Sequence, residues 1–221
     1  PTALDHIEHA LDAARALDDP RLYVQVQATL GQALASCGRY DAALPLLDAA
    51  IAIKRQHRSG VGNAVGLTYS LACKGYLRGD QGDFDTAGAC FEEALHDAQC
   101  HQYEALASVR GWYGVVLLWQ GRWNEAQTLC KRAARDGAHV RSLHLMAMSR
   151  AGAAYARWCE RRDARALDEV RDAMGWLDER GNGLFSSLGH AWLADIAAVR
   201  GQDGLARRHA RGGPHRQHGR H

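Results

Sequence analysis

Apolar residues in this chain recur at helical spacing, as the segment "CGRYDAALPLLDAAI" at 37–51 illustrates. Alanine and leucine dominate the composition and runs of β-branched residues are few, which favours helix over strand. Helix-breaking residues separate the helical segments at 18–20, 58–63 and 181–183. The pattern predicts an all-α chain with helices over 2–17, 22–37, 41–57, 62–80, 84–100, 103–120, 123–137, 140–160, 164–180, 184–200 and 203–211.

The segment 37–51 is one copy of an internal repeat. Related sequences occur at 81–95 and 120–134, and weaker copies occur at 160–174 and 200–212. The second position of each copy recurs in steps of 44, 39, 40 and 40 residues. A period near 40 residues indicates an array of repeated helical units. This second position is occupied by Gly38, Gly82, Gly121, Arg161 and Gly201.

A small residue lies in the helix that precedes each copy. Two helices approach closely only where their side chains are small, so the two helices of each repeat are expected to cross there. These positions are Gly31, Gly75, Gly114, Ala154 and Ala194.

The residues between the two helices of a repeat predict how the helices end and begin. A glycine at Gly38 or Gly82 predicts a left-handed end to the first helix. N-caps are predicted for the second helices at Asp41, Asp85 and Asn124, and Asn124 is expected to form a capping box with Gln127.

The order of these residues resembles the tetratricopeptide repeat (TPR). That signature runs from a small residue through a turn glycine and an aromatic residue to alanine, a large apolar residue and alanine. The resemblance covers roughly 1–211 and implies a right-handed α-solenoid of about five stacked antiparallel helix pairs. Three copies carry it in register: Gly31, Gly38, Tyr40, Ala43, Leu47 and Ala50; Gly75, Gly82, Phe84, Ala87, Phe91 and Ala94; and Gly114, Gly121, Trp123, Ala126, Cys130 and Ala133.

The period is longer than the ~34 residues usual for that family. The longer repeat resembles the C-terminal arrays of large bacterial signalling ATPases and transcription activators. A disordered tail is predicted at 212–221. The expected organisation is one repeat domain at 1–211, with repeats near 1–20 (partial), 21–58, 62–101, 103–138, 140–180 and 184–211.

Charge and composition argue against some classes of function and cellular location. The formal net charge of +2 gives no reason to expect direct nucleic-acid binding. No stretch reaches the ~18 consecutive apolar residues of a membrane-spanning helix, and no basic-then-apolar leader opens the chain. The six cysteines form no CxxC pair and fall inside helical patterns, which favours reduced thiols. We therefore expect a cytoplasmic protein with no membrane partner.

The motifs of common enzyme classes are missing from the sequence, which contains no GxxxxGK[ST], GxSxG or HExxH. His6 and His9 lie one helical turn apart, but a closed metal site needs more ligands. Cys100 precedes His101, but no third residue orients the pair for nucleophilic catalysis. The glycine-rich stretch 60–66 follows a helix rather than a strand, which disfavours phosphate binding. We expect no enzymatic activity, no cofactor and no metal.

The TPR resemblance implies that the first helices line a concave groove. Tyrosine, tryptophan and methionine at inward positions are typical anchors for a partner, and the alternative is that they fill the space between neighbouring helices. The inward positions implied by the family's register are Gln25, Ala28, Gln32, Tyr69, Ala72, Tyr76, Gly111, Val115, Leu118, Met148, Ala151, Tyr155, Trp158, Leu188, Ala191 and Asp195. Of these, the predicted partner-binding residues are Tyr69, Ala72, Tyr76, Val115, Met148, Tyr155, Trp158 and Asp195.

Two hypotheses for function remain open from the sequence. The first is a non-catalytic protein–protein interaction module that holds a peptide or helix, from another protein or from the same polypeptide. The inward positions lack the Lys, Arg and Asn clamp of carboxylate-binding TPR domains, so an apolar segment is the expected ligand. The second is an effector-sensing or oligomerisation arm of a larger bacterial ATPase, transcription or cyclase regulator. The sequence does not predict the oligomeric state.

Overall fold

The computed structural model describes residues 2–56, 61–101, 105–181 and 183–211. Within these ranges every regular secondary-structure element is a helix, which confirms the predicted all-α class. The observed helices begin and end within three residues of the predicted ones. They are α1 (Ala3–Ala16), α2 (Pro20–Ser36), α3 (Tyr40–Gln56), α4 (Val61–Asp80), α5 (Phe84–His101), α6 (Leu106–Trp119), α7 (Trp123–His139), α8 (Leu143–Arg161), α9 (Ala166–Glu179), α10 (Gly183–Val199) and α11 (Asp203–Ala210).

Some expectations concern residues that these ranges leave out. The tail at 212–221 lies outside the described residues, as do the side chain of His101 and most side chains of 60–66. The predicted repeat domain at 1–211 and its internal limits stay predictions.

The chain divides into two compact units, Pro1–Val116 and Leu117–His221. In the first unit α1 packs on α2, α2 on α3, α3 on α4 and α4 on α5. Helices α2 and α3 are antiparallel: Gln25, in the first half of α2, contacts Lys54 near the end of α3. In the second unit α7 packs on α8, α8 on α9 and α9 on α10, and α10 also contacts α8 and α11.

Helical periodicity explains the core of the first unit. Leu30 and Leu34 lie four residues apart on α2, and Leu44 and Leu47 lie three apart on α3, so each pair occupies one helix face. Short helices depend on such tertiary burial for their stability. All four belong to one buried cluster, whose other members are Leu11, Ala43, Cys73 and Leu77.

The small residues predicted at helix crossings lie where helices touch. A Cβ atom at Gly31 would lie 3.0 Å from Leu47 Cγ, and one at Gly75 would lie 2.9 Å from the Phe91 ring. Both separations are below the ~3.5–4.0 Å optimum between carbon atoms. Glycine therefore sets the close spacing of α2 against α3 and of α4 against α5.

The turns after α2 and α4 confirm the predicted left-handed ends. Gly38 and Gly82 have φ angles of 74° and 83°, a region that glycine enters without a Cβ clash. The fifth copy differs, because the aligned Arg161 ends α8 and the following Arg162 takes a φ of 55°. The Arg162 guanidinium lies over the Trp158 ring, 5.2 Å from its centroid, so a cation–π contact accompanies the strained backbone.

The predicted N-caps of the second helices are wrong, because the aromatic residue of the turn takes the first helical position. The residue before the aromatic then becomes the cap. At α5 this is Asp83, whose Oδ1 accepts a hydrogen bond from the Thr86 N–H at 3.2 Å. At α7 it is Arg122, which makes no side-chain cap bond, so the expected box with Gln127 does not form. The predicted caps instead lie in the first turns: Asp41 of α3, Asp85 of α5 and Asn124 of α7.

Candidate functional site

Three aromatic side chains of α4 and α6, here called the aromatic triplet, meet in the first unit. Tyr69 and Tyr76 lie about two turns apart on α4, and both contact Trp112 of α6. The ring centroids are 6.5 Å apart for Tyr69 and Trp112, and 6.4 Å apart for Tyr76 and Trp112. The interplanar angles of 64° and 63° are those of edge-to-face contacts. All three residues are half-buried, so part of each remains open to solvent.

Two other predicted groove residues of the first unit are buried. Ala72 lies three residues after Tyr69 and four before Tyr76, so it shares their face of α4. It is fully buried, and Val115 of α6 is 7% exposed. Both residues therefore help to pack the helices that carry the triplet and offer little surface of their own.

The hydroxyl groups of Tyr76 in the triplet and of the nearby Tyr40 stay protonated at physiological pH. Burial raises the pKa of Tyr76 to about 12, and Asp80 adds a smaller contribution in the same direction. Tyr40, at the start of α3, donates a hydrogen bond to Asp80 Oδ2 at 2.7 Å. Its pKa is also raised, chiefly by burial. Tyr76 and Tyr40 thus combine apolar rings with uncharged hydroxyls.

In the second unit the structure joins two predicted residues directly. Tyr155 of α8 donates a hydrogen bond to Asp195 Oδ2 of α10 at 2.9 Å. The Tyr155 ring stacks on Trp192, with centroids 5.3 Å apart and planes 12° apart. Burial is the main reason that the pKa of Tyr155 lies above its usual range. Tyr155 is half-buried and Asp195 is exposed, whereas Trp192 is buried beneath them.

The remaining predicted residues of α8 differ in exposure. Met148 is half-buried, but Trp158 is only 5% exposed. The Trp158 indole Nε1 finds no hydrogen-bond acceptor among the described residues, so the ring is held by packing and by Arg162. In this conformation Trp158 is part of the core.

Sequence reasoning missed two tryptophans, Trp112 and Trp192. The family's register placed Gly111 and Ala191 inward, and each tryptophan follows one residue later. A step of one residue rotates a side chain by about 100° around the helix axis. The available signal was a large aromatic residue directly beside a small inward residue.

A buried lysine lies beside Gln25, one of the positions implied to face inward. Lys54 of α3 is 3% exposed, and its Nζ donates a hydrogen bond to Gln25 Oε1 at 3.3 Å. A Cβ atom at Gly66 of α4 would lie 2.1 Å from that nitrogen, so the glycine makes room for the ammonium group. Burial lowers the pKa of Lys54 to about 8, because the charged form loses its hydration.

Replacing Lys54 with methionine is expected to raise the free energy of unfolding by about 1 to 2 kcal/mol near neutral pH, since folding then desolvates no charge. The wild-type chain should gain stability as pH rises between about 8 and 10.5, because the unfolded lysine keeps its proton over that range and the folded one loses it. Urea titrations of both proteins across this range should therefore show the difference shrinking. A difference that stays constant with pH would contradict the assigned shift.

The described residues offer no obvious metal site or membrane segment. Within the described ranges no group of three or more His, Cys, Asp or Glu side chains could hold a metal ion. His6 and His9 are exposed on α1. None of the described helices combines the length and the apolar character needed to cross a bilayer.

Comparison with known proteins connects one helix pair to a family. The tetratricopeptide repeat family profile matches residues 25–58, which include most of α2 and all of α3. No curated protein matches the sequence significantly. The narrower resemblance to arrays of bacterial signalling ATPases and transcription activators stays a prediction.

Two solved structures are similar over most of their length. BtubC (BKLC) from P. vanneervenii has a TM-score of 0.65 and 16% identity, and the match covers 96% of this chain and 89% of that one. A putative kinesin light chain of P. anserina, with nearly identical TPR-like repeats, has a TM-score of 0.57 and 15% identity. That match covers 84% of this chain and 90% of the other. The fold is therefore that of a TPR-like α-solenoid, whose repeats generally mediate protein–protein interaction and are generally non-catalytic.

Proposed function

We propose that this chain is a non-catalytic interaction module that holds an apolar peptide or helix of a partner protein. The observation that carries the proposal is the aromatic triplet, in which Tyr69 and Tyr76 both pack against Trp112 while each of the three residues stays partly exposed. Aromatic residues are enriched at protein interfaces and dominate their binding energy.

The packing of the triplet favours binding. The side chains of α4 and α6 already hold the rings in place, so a partner need not order them on arrival. Each rotamer-rich side chain that binding must immobilise costs about 0.5–1.5 kcal/mol, and a preformed surface avoids part of that cost.

The charges beside the exposed aromatic residues favour some ligands over others. Asp80 accepts a hydrogen bond from Tyr40 near the triplet, and Asp195 accepts one from Tyr155 in the second unit. Carboxylates at these positions repel the terminal carboxylate of a peptide. An apolar segment flanked by basic residues fits the first unit best, and Met148, Tyr155 and Asp195 provide a similar patch in the second unit.

Changing Tyr76 to alanine is expected to weaken peptide binding about tenfold, which corresponds to roughly 1.4 kcal/mol. The probe is a peptide selected from a random display library on the wild-type protein, and fluorescence polarisation gives its Kd. Leu22, an exposed apolar residue of α2, provides the matched control, and Leu22→Ala should change the Kd less than about twofold.

Circular dichroism of the Tyr76→Ala variant separates binding from folding. Unchanged helicity with lost affinity supports the proposal. Undiminished affinity would show that the triplet is not the binding surface, and a collapse of helicity would show that Tyr76 is a core residue.

A further inference from the structure

A second surface of the Leu117–His221 unit lies between α7, α8 and α9. These helices line a groove of about 880 Å³. On α8 its lining includes Met146 and Arg150, which lie on a different face of the helix from Met148 and Tyr155. The groove is therefore separate from the surface proposed above.

Small residues explain why space remains between these helices. Alanine extends by only one carbon, so the helices leave a gap that larger side chains would fill. The walls are apolar: Met146 and Trp176 are half-buried, and Leu143 is 50% exposed. The alanines that line the groove are Ala134, Ala147, Ala153 and Ala173.

The rim of the groove is basic. Lys131 and Arg135 lie one turn apart on α7, Arg150 lies on α8, and all three are exposed. None of them forms an ion pair with a carboxylate in the described part of the chain. Among the described lining residues, Asp172 of α9 is the one carboxylate that also forms no ion pair. The groove therefore has three unpaired cations and one unpaired carboxylate.

The other two lining charges, Arg157 and Glu169, are already neutralised by ion pairs. Arg157 forms ion pairs with Asp163, at 3.1 Å, and with Glu169. Because Glu169 pairs with Arg157, it does not neutralise the basic side chains of the rim. An apolar floor with a cationic rim is complementary to an amphipathic segment that carries carboxylates.

We propose that this groove binds an acidic amphipathic helix of a partner protein. Apolar side chains of that helix lie on the alanine floor between Met146 and Trp176. Its carboxylates form charge-assisted hydrogen bonds with Lys131, Arg135 and Arg150. Nucleic acid fits less well, because the groove presents apolar walls where phosphates would need charge.

The test uses a fluorescein-labelled synthetic helix of about four turns, with leucines on one face and glutamates on both flanks. The double variant Arg135→Glu, Arg150→Glu should weaken its Kd about tenfold or more at low salt. Arg132 is exposed on α7 but does not line the groove, so Arg132→Glu is the matched control and should change the Kd less than about twofold. Tyr76→Ala should leave this Kd unchanged, which separates the groove from the aromatic triplet.

Four results would overturn the proposal. The first is no saturable binding of the acidic helix by the wild-type chain. The second is an equal loss of affinity in the Arg132→Glu control, which would show non-specific charge attraction. The third is equal binding of a helix whose leucines are replaced by alanine, which would show that only anions are recognised. The fourth is tighter binding of an oligonucleotide of equal charge, which would assign the surface to nucleic acid.

Discussion

Replacing Phe91 with alanine is expected to lower the free energy of unfolding by about 3 to 5 kcal/mol. Phe91 is fully buried on α5. Its ring stacks on Tyr113 of α6, with centroids 4.8 Å apart and planes 9° apart, and it also lies against Gly75 of α4. Truncation removes contacts to both neighbouring helices. It also leaves a cavity, which Gly75 of α4 cannot fill because it has no side chain.

Urea unfolding of the wild type and the variant measures this loss. Phe84 provides the control, because it lies on the same helix but is half-buried at the first helical position. Phe84→Ala should cost only about 1 kcal/mol, in proportion to the smaller apolar area that it buries. If the two substitutions cost the same, Phe91 does not link α4, α5 and α6 as the structure indicates.

The helices could be predicted from the sequence because the same local pattern returns about every 40 residues. The copies support one another. Because Gly75 and Gly82 occur at the aligned positions of the next copy, the roles predicted for Gly31 and Gly38 are better supported than they would be from one copy alone. The physical requirements behind these residues are local. A left-handed turn and a close helix crossing each select glycine without reference to distant parts of the chain.

The N-cap residues of the helices and the turn geometry of the weaker repeat copies were predicted less well from the sequence. A polar residue that can cap a helix serves equally well inside the first turn, where a carboxylate still interacts favourably with the helix dipole. Asp41 and Asp85 therefore carry no signal that separates the two positions. In the fifth copy Arg161 is aligned with the turn glycines, yet Arg162 is the left-handed residue, so the turn lies one residue later than the repeat predicts.

The exposure of the candidate site residues could not be predicted from the sequence, for a different reason. The repeat register identifies which helix face points inward, but burial depends on the neighbouring helices. Tyr69 and Tyr76 stay partly exposed, while Trp158, assigned by the same register, is buried. The basic groove between α7, α8 and α9 depends on how three helices pack, which a pattern within single helices does not contain.

The close crossing of α4 and α5 leads to the second large effect, an expected loss of about 3 kcal/mol in unfolding free energy when Gly75 is changed to valine. A Cβ at this position would lie 2.9 Å from the Phe91 ring and 3.2 Å from the Ala87 carbonyl oxygen. Neither neighbour can yield easily, because the ring is fully buried and the oxygen belongs to the α5 backbone. Valine adds two methyl groups to that clash, so the two helices must separate.

Gly88 supplies the matched control for this substitution, since it also lies inside a helix of the same pair. Among the described residues outside its own helix backbone, a Cβ at Gly88 would have one atom within 4 Å, the Tyr113 hydroxyl oxygen at 3.9 Å. Gly88→Val should therefore be neutral or should stabilise the chain by a few tenths of a kcal/mol. The reason is helix propensity alone, because valine is a slightly better helix former than glycine, which is about 1 kcal/mol less favourable than alanine. Urea unfolding of both variants decides the matter. Opposite outcomes at the two glycines would show that contact between α4 and α5, rather than backbone preference, selects glycine at position 75. Equal outcomes would mean that the two helices are not in close contact there.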